Sequence, residues 1–322
     1  MWCEMLDLGS LRRKLSLKDV VALEIVGLMT VLAFFLHGGE DLFTFYLPLA
    51  RGCLTCAYNP WHTMWVVFPL RFIPVNLLWP FWILASGLML WWTARQLKVN
   101  PTIVLLSFPA MGLIWLGQVD AVVALGLGLA LTARSPWLRG LGIALASIKP
   151  QVSAVAILVL LWLDHDRWRV MIVPAAVLAA SMVAWGPDWP LRWWRTRDIT
   201  ASLPLWGMAS LFPVGLAAFA AIPFVDGPRN KVTAALLASA LAIPQFGVYS
   251  YVAFLVFLAP GWALPLSYAW ALAYPFIQGL SLELAWVLPL GLLGCLLWPS
   301  ARRWVQRRKE PAGPPEPDPA QE

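Results

Sequence analysis

Long apolar runs are the feature that most limits what this chain can fold into. The first covers Val20 to Leu36, interrupted by Glu24, and similar runs recur as far as Trp298. A helix crosses a bilayer in about 20 apolar residues, and unpaired backbone groups exclude every spanning structure except helices and closed barrels. The sequence has no series of alternating ten-residue strands. It therefore predicts an all-α integral membrane protein.

The composition agrees with a membrane protein. The chain has 322 residues, of which 60% are hydrophobic and 12% charged, and its mean hydropathy is +0.71. Soluble domains carry roughly 25% charged residues. Glu40 and Asp41 follow the first apolar run, where a signal peptide would have a small-residue cleavage site. We therefore expect this run to be a retained first helix.

The distribution of Lys and Arg predicts the topology. Most of them fall in every second connection between apolar runs, for example at Arg95, Arg139 and Arg167, and such connections face the cytoplasm. This alternation predicts two cytoplasmic termini and about 10–12 membrane segments, several of them short or re-entrant. It also accounts for the net charge of +6 without an acidic partner. The predicted regions are a cytoplasmic segment (1–18), a membrane domain (19–299) with external loops at 38–73 and 186–206, and a disordered cytoplasmic tail (300–322).

A helical hairpin is predicted between Arg139 and Arg167, which both belong to the cytoplasmic set. About 27 residues at 1.5 Å per residue are too few for two crossings. Short helices near 138–148 and 151–163 would place "KPQ", and with it Lys149, at the tip. A lysine at membrane depth costs about 2.5–3.5 kcal/mol. Lys149 therefore either extends to the outer surface or contacts the phosphate of a membrane lipid.

Other polar residues interrupt the apolar runs. Gln118 and Asp120 in "LGQVDAVV" mark a break between two helices, which is either a simple polar turn or part of a site. Tyr249 in "PQFGVYSYVAF" is a candidate cavity residue, and Tyr46 either contacts a sugar or anchors its loop in the membrane interface.

Two outer segments carry charge at the predicted membrane boundary. In "LHGGEDLFTFYLPLARG" the acidic pair Glu40 and Asp41 precedes an amphipathic helix, whose free N–H groups Asp41 can cap. In "RWWRTR" the side chains of Arg192 and Arg195 alternate with tryptophan. This pattern is typical of an interfacial helix that meets lipid phosphates, and it also suits the guidance of a phosphate into a site.

Cysteine and histidine residues lie close together in the first external loop. Cys53 and Cys56 form a C-x-x-C pair, and His37 and His62 lie in the same loop. The spacing is less regular than in most zinc sites. A zinc site, a disulfide and free thiols all remain open.

The order of several motifs resembles glycosyltransferase family 87, the polyprenyl-phosphate-sugar-dependent, mannosyltransferase-like members of the GT-C superfamily. The motifs are "GEDLFTFYLPLA", "YNPW", "GQVD" and "GLGIALASIKPQ", and the resemblance covers about residues 19–185. It implies a GT-C-like helical bundle with Asp41 as the catalytic base. The family commonly has Asn where this chain has Asp120. The candidate substrate-binding residues are Glu40, Tyr46, Gln118, Asp120, Lys149, Arg192, Arg195 and Tyr249.

The resemblance implies a membrane glycosyltransferase. We expect a hexose, with mannose favoured, to move with inversion from a polyprenyl-phosphate donor to a lipid or glycan acceptor. The reaction would occur on the outer side of the cell membrane, in contact with membrane lipids, and we expect no cofactor, metal or nucleic acid. A lipid or sugar transporter and an inactive GT-C-like protein are the alternatives.

Overall fold

Helices are the only regular elements in the parts of the chain that the computed structural model describes, which are residues 15–196, 210–273 and 282–309. The α-helices are α1 (Leu17–Leu32), α2 (Leu47–Ala50), α3 (Thr63–Val67), α4 (Val75–Gln96), α5 (Pro101–Leu106), α6 (Phe108–Leu116), α7 (Asp120–Thr132), α8 (Pro136–Ala146), α9 (Pro150–Leu163), α10 (Arg167–Trp185), α11 (Trp189–Thr196), α12 (Pro228–Ala242), α13 (Val252–Leu255), α14 (Ala263–Ala273) and α15 (Val287–Lys309). A π-helical turn covers Leu42–Tyr46, and 3-10 turns cover Phe68–Phe72, Val214–Phe224, Val248–Tyr251 and Leu282–Trp286.

Helix lengths fit a membrane protein with incomplete crossings. Val75–Gln96 and Arg167–Trp185 are long and apolar enough to cross a membrane. Shorter apolar helices, as the sequence predicted, accompany them. These are Thr63–Phe72, Asp120–Thr132, Pro150–Leu163, Val214–Phe224, Ala263–Leu272 and Leu284–Pro299.

Local sequence explains where several helices begin and end. Ser16 and Asp19 form a capping box at the start of α1, in which each side chain accepts a hydrogen bond from the other's backbone N–H. The single helix expected over 101–117 is wrong, because it breaks at Ser107. Pro109 lacks the N–H that a continuous helix needs, and the Ser107 hydroxyl accepts a hydrogen bond from Ala110 N at 3.4 Å instead.

Small residues let the helices of the centre pack closely. α12 is buried from Val232 to Ala242, between α9, the 214–224 segment and α15. α7 and α8 touch where Gly126 faces Gly142, and a Cβ on Gly126 would lie 2.5 Å from the Gly142 carbonyl oxygen. Any larger residue would therefore push these two helices apart, as is usual for small-residue contacts between membrane helices.

The predicted hairpin is confirmed as α8 and α9. Lys149 lies between the two helices, and the chain returns far enough for Asp164 to meet Arg139, with 2.7 Å between Arg139 Nε and Asp164 Oδ2. The hairpin therefore has a tip at Lys149 and a base that an ion pair closes.

The helical bundle has two chemically different ends. Near the start of α4, Trp82 donates a hydrogen bond to the carbonyl of Gln118, whereas near its end Thr93 packs on Gly128, close to the end of α7. Arg139 begins the hairpin just after α7, so it lies at the end opposite Gln118. We call these the site end and the basic end.

Two predicted boundaries change. The first helix, expected over 19–37, ends at Leu32. α15 continues to Lys309, past the expected start of a disordered tail at residue 300. Residues 310–322 lie outside the described residues, as does part of the second external loop (197–206). The described part of that loop forms α11.

Candidate functional site

The first loop carries Glu40 and Asp41 into a helical turn but does not use either as a cap. Asp41 has helical backbone angles before the π turn, and its side chain makes no capping hydrogen bond. The capping role considered as the alternative for Asp41 is therefore wrong. Glu40 is exposed, whereas Asp41 is half-buried. The two neighbouring acids thus face different surroundings.

The π turn brings Asp41 and Tyr46 to one partner, Gln118. Hydrogen bonds from residue i+5 to residue i widen this turn, so that side chains five residues apart face the same way. Gln118 Nε2 donates a hydrogen bond to Asp41 Oδ2, and the Tyr46 hydroxyl donates to Gln118 Oε1 at 2.9 Å. Single π turns of this kind are frequent at functional sites.

The backbone around Gln118 is fixed by a glycine and by tryptophans. Gly117 ends α6 in the left-handed region with φ of 76°, and a Cβ there would lie 2.6 Å from Leu42 Cβ. Trp79 donates a hydrogen bond to the carbonyl of Ile114 at 3.1 Å, and Trp82 to that of Gln118 at 3.2 Å. The loop that carries Asp41 can therefore pack directly on the turn that carries Gln118.

Lys149 at the hairpin tip points inward. It is 5% exposed, so the alternative in which it extends to the outer surface is wrong. Its ammonium group donates to Asp120 Oδ2 at 2.7 Å and to Gln118 Oε1 at 3.3 Å, and it lies 4.5 Å from the centre of the Tyr249 ring. The contact with an aromatic face is a cation–π interaction.

Asp120, at the start of α7, completes a polar cluster, which consists of Asp41, Tyr46, Gln118, Asp120, Lys149 and Tyr249. Its side chain is fully buried, and its Oδ1 atom has no hydrogen-bond partner among the described residues. A buried carboxylate is tolerated only when it is paired, so Asp120 depends on Lys149. The simple polar turn considered for Gln118 and Asp120 therefore does not describe them.

Burial changes the protonation of Asp41. Loss of water raises the pKa of this carboxyl above its ordinary value, and the Gln118 hydrogen bond and the Lys149 charge oppose that shift. The outcome is a carboxylate that accepts a proton more readily than an exposed aspartate does. A pKa closer to the working pH is what general-base catalysis favours.

The second half of the first loop covers the hairpin tip. Asn59 donates to the carbonyl of Ile148 at 2.9 Å, and His62 Nε2 lies 3.1 Å from the hydroxyl of Ser147. Since this hydroxyl already donates to Ala144, the His62 nitrogen is the donor. Burial lowers the pKa of His62 to about 4, so the ring is neutral. The sequence suggests His62 only as a possible zinc ligand. Its hydrogen-bond partner, Ser147, lies 85 residues away in the sequence.

α11 packs on the first loop rather than on the polar cluster. The Arg192 guanidinium lies 4.9 Å from the Trp61 ring centre and pairs with Asp188 at 3.1 Å. The indole N–H of Trp193 donates to the carbonyl of Tyr58 at 3.1 Å. Arg195 is exposed. The structure thus brings Asp41, Tyr46, Gln118, Asp120, Lys149 and Tyr249 together, with exposed Glu40 beside Asp41, but it records no contact of Arg192 or Arg195 with them.

The cysteine pair of the first loop is oxidised in the structure. Cys53 and Cys56 form a disulfide, which resolves the alternatives that the sequence left open. Within residues 15–196, 210–273 and 282–309, no group of three or more His, Cys, Asp or Glu side chains is arranged to hold a metal ion.

The polar cluster lies partly in a segment that matches a known family. The model of glycosyltransferase family 87 matches residues 57–207, which include Gln118, Asp120 and Lys149, whereas Asp41 and Tyr46 precede this segment. The match confirms the family resemblance drawn from the sequence motifs. No curated protein and no solved structure matches the chain significantly.

Proposed function

We propose that this chain, a member of glycosyltransferase family 87 and hence a membrane glycosyltransferase, takes its sugar from a polyprenyl phosphate. The sugar is a hexose, with mannose favoured, and the acceptor is a lipid or a glycan. The observation that carries the proposal is the half-buried Asp41 carboxylate, held by Gln118 at the end of the bundle opposite the basic residues. Nearby, Lys149 and Asp120 form a buried ion pair that contacts Gln118 through Lys149.

Asp41 acts as the general base of an inverting displacement. The acceptor hydroxyl loses its proton to Asp41 as its oxygen forms a bond to the anomeric carbon. The bond from that carbon to the phosphate oxygen breaks on the opposite face, and the electron pair leaves with the phosphate. Configuration at the anomeric carbon therefore inverts, and general-base help is worth about 10²–10⁴ in rate.

The location of Asp41 suits a donor anchored in lipid. The phosphate of a polyprenyl-phosphate sugar remains at headgroup depth, so the base must lie near the membrane boundary, at an end of the bundle. Arg139 lies at the opposite end, and basic residues favour the cytoplasmic side. The site therefore faces the extracytoplasmic side of the cell membrane, in a multi-pass arrangement.

The donor phosphate needs a cation near the site end. Arg192 and Arg195 are exposed on α11, and Arg192 lies over Trp61 in the loop that covers the hairpin tip. These two arginines are our candidates for phosphate contacts, because one guanidinium group can donate two parallel hydrogen bonds to a phosphate. Lys149 is already paired with Asp120 at 2.7 Å, so the contacts to the phosphate fall to these arginines.

Transfer by the purified protein tests this function. Radiolabelled mannose, glucose and arabinose on polyprenyl phosphate would be offered with a panel of lipid and glycan acceptors, alongside the corresponding nucleotide sugars. We expect transfer from a polyprenyl-phosphate sugar with inverted configuration in the product. Transfer from a nucleotide sugar, or retention of configuration, would contradict the proposal. Movement of the donor across vesicle membranes without transfer would indicate the transporter alternative.

A further inference from the structure

Gln118 uses both polar atoms of its side chain inside the cluster. Its Nε2 donates to Asp41, and its Oε1 accepts from Tyr46 at 2.9 Å and from Lys149 at 3.3 Å. The residue is 5% exposed. Both polar atoms of this buried amide therefore bind the protein, and only one of its two N–H groups is not used in these contacts. The role of Gln118 is thus directed mainly at the protein itself.

Lys149 determines which way the Gln118 amide points. An ammonium group only donates hydrogen bonds, so the Gln118 atom that faces Lys149 must be the oxygen. The amide nitrogen is then directed at Asp41. Had the amide turned over, its nitrogen would face Lys149 and its oxygen would face the Asp41 carboxylate, and both contacts would be repulsive.

Moving Lys149 out of this position is energetically unfavourable. Its three N–H groups point to Asp120, to Gln118 and to the face of Tyr249. Moving it to a substrate phosphate would abandon the Asp120 carboxylate, which is fully buried and has one oxygen without a partner among the described residues. An uncompensated buried charge is strongly unfavourable. The ion pair therefore persists while substrate is bound.

We propose that Gln118 is a positioning residue for Asp41, and that Tyr46 and the Lys149–Asp120 pair hold Gln118 in the orientation that serves this purpose. The proposal rests on the proposed function of Asp41 as the base. Gln118 binds Asp41 Oδ2, and we assign the acceptor's proton to the other oxygen, Asp41 Oδ1. This gives Gln118, Asp120 and Lys149 a different role from the substrate contacts expected from the sequence.

Gln118→Leu tests the proposal, because it removes the hydrogen bond to Asp41 at similar side-chain volume. We expect kcat to fall about 100-fold, as misplacement of a catalytic group by about 1 Å does, while KM for donor and acceptor changes little. The acid limb of the pH–rate profile should move to higher pH, since the lost hydrogen bond lowers the pKa of Asp41. The other charged groups that face Asp41, namely Glu40, Lys149 and Asp120, remain in place.

Two further variants separate loss of the Asp41 hydrogen bond from a loss of folding. If Gln118→Leu does not fold, Gln118→Asn retains the amide but is too short to reach Asp41, and the same changes are expected. Tyr46→Phe keeps the Lys149 contact that orients Gln118, so it should lower kcat much less and leave the acid limb in place. A raised KM with an unmoved acid limb would show that Gln118 contacts substrate instead, and would overturn the proposal.

A measurement without sugar transfer separates this proposal from the proposed function. Infrared difference spectroscopy can follow the protonated carboxyl band of Asp41, assigned by its loss in Asp41→Asn. The proposal predicts a higher midpoint for protonation in Gln118→Leu than in the unmodified protein, even if no donor is ever transferred. An unchanged midpoint would overturn it.

Discussion

The two ends of the α8–α9 hairpin both carry an ion pair, yet they differ in what surrounds it. At the tip, 2.7 Å separates Lys149 Nζ from Asp120 Oδ2, and the two side chains are 6% and 0% exposed. At the base, the same distance separates Arg139 from Asp164, but these side chains are 16% and 15% exposed. Asp166 provides Arg139 with a second, exposed carboxylate at 3.4 Å.

The two pairs also differ in what they contact. The Arg139–Asp164 pair borders water, whereas the Lys149–Asp120 pair contacts Gln118. At the base of the hairpin, Arg139 and Asp164 line an open cleft of about 350 Å³ together with His165 and Pro228, and water can reach their charges. The tip has no comparable access, but its lysine is connected through Gln118 to Asp41, whose pKa burial raises. The open cleft thus lies at the basic end of the bundle, whereas the proposed proton acceptor, Asp41, lies at the site end.

Asp41→Asn should have the largest effect at the tip. We expect sugar transfer to fall by about 10²–10⁴-fold, because the base is lost. The folded protein should not become less stable. Since folding raises the pKa of Asp41, the stability that this group contributes is present below its ordinary pKa of 3.8 and is lost as the pH rises through the folded value. Above the folded pKa the ionised carboxylate is less favourable in the folded state than in water, and Asn does not carry this charge.

Glu40→Gln is the matched control for that variant. Glu40 is exposed beside Asp41, so its neutralisation should leave transfer almost unchanged. Loss of transfer in Glu40→Gln, with transfer retained in Asp41→Asn, would assign the base to Glu40.

Lys149→Met should show the next largest effect, on stability. It leaves the Asp120 carboxylate buried without a partner, and breaking a buried pair in this way costs about 3–5 kcal/mol. The double variant Lys149→Met with Asp120→Leu should recover most of this loss, because both charges are gone. Unfolding of the purified variants in detergent measures the difference. A double variant no more stable than Lys149→Met would mean that the pair is not coupled as the structure indicates.

His62 should make the stability of the tip depend on pH. Its pKa is lowered to about 4 from an ordinary value of 6.5, so its contribution to stability is present above pH 6.5 and is lost as the pH falls towards 4. We expect the melting temperature to fall across this range, and His62→Gln to reduce that dependence. His165→Gln, at the exposed base, is the matched control. Equal pH dependence in all three proteins would contradict the buried, neutral His62.

Arg139→Gln at the base should have the smallest effect. The Arg139 pairs keep more contact with water than the Lys149 pair does, so we expect their loss to cost nearer to the surface value of about 1 kcal/mol than to that of a fully buried pair. The free energy of unfolding should fall by about the surface value. Sugar transfer should be unchanged, since this end of the hairpin lies far from Asp41. A large loss of transfer with intact folding would show that the two ends of the hairpin are coupled.

The sequence predicted those parts of the structure that depend on local spacing. The distance between Arg139 and Arg167 predicted the hairpin, and the alternation of basic connections predicted that Asp41 and Lys149 share an end. The Lys149–Asp120 pair was not predicted, because charge pairing across helices depends on packing that spacing does not specify. The same holds for the π turn, which no residue in "LFTFY" requires, and for the orientation of Arg192 towards Trp61.

The pH dependence of kcat/KM for sugar transfer tests most directly whether Asp41 takes the acceptor's proton. This parameter reports the pKa of the free enzyme's base, and the phosphodiester of the donor keeps a single negative charge throughout. Asp41 as the base predicts an acid limb with a midpoint above 3.8, the ordinary aspartate value, because burial raises the pKa of this carboxyl. The limb should be absent from the residual rate of Asp41→Asn. A midpoint at or below 3.8, or the same limb in Asp41→Asn, would contradict the assignment.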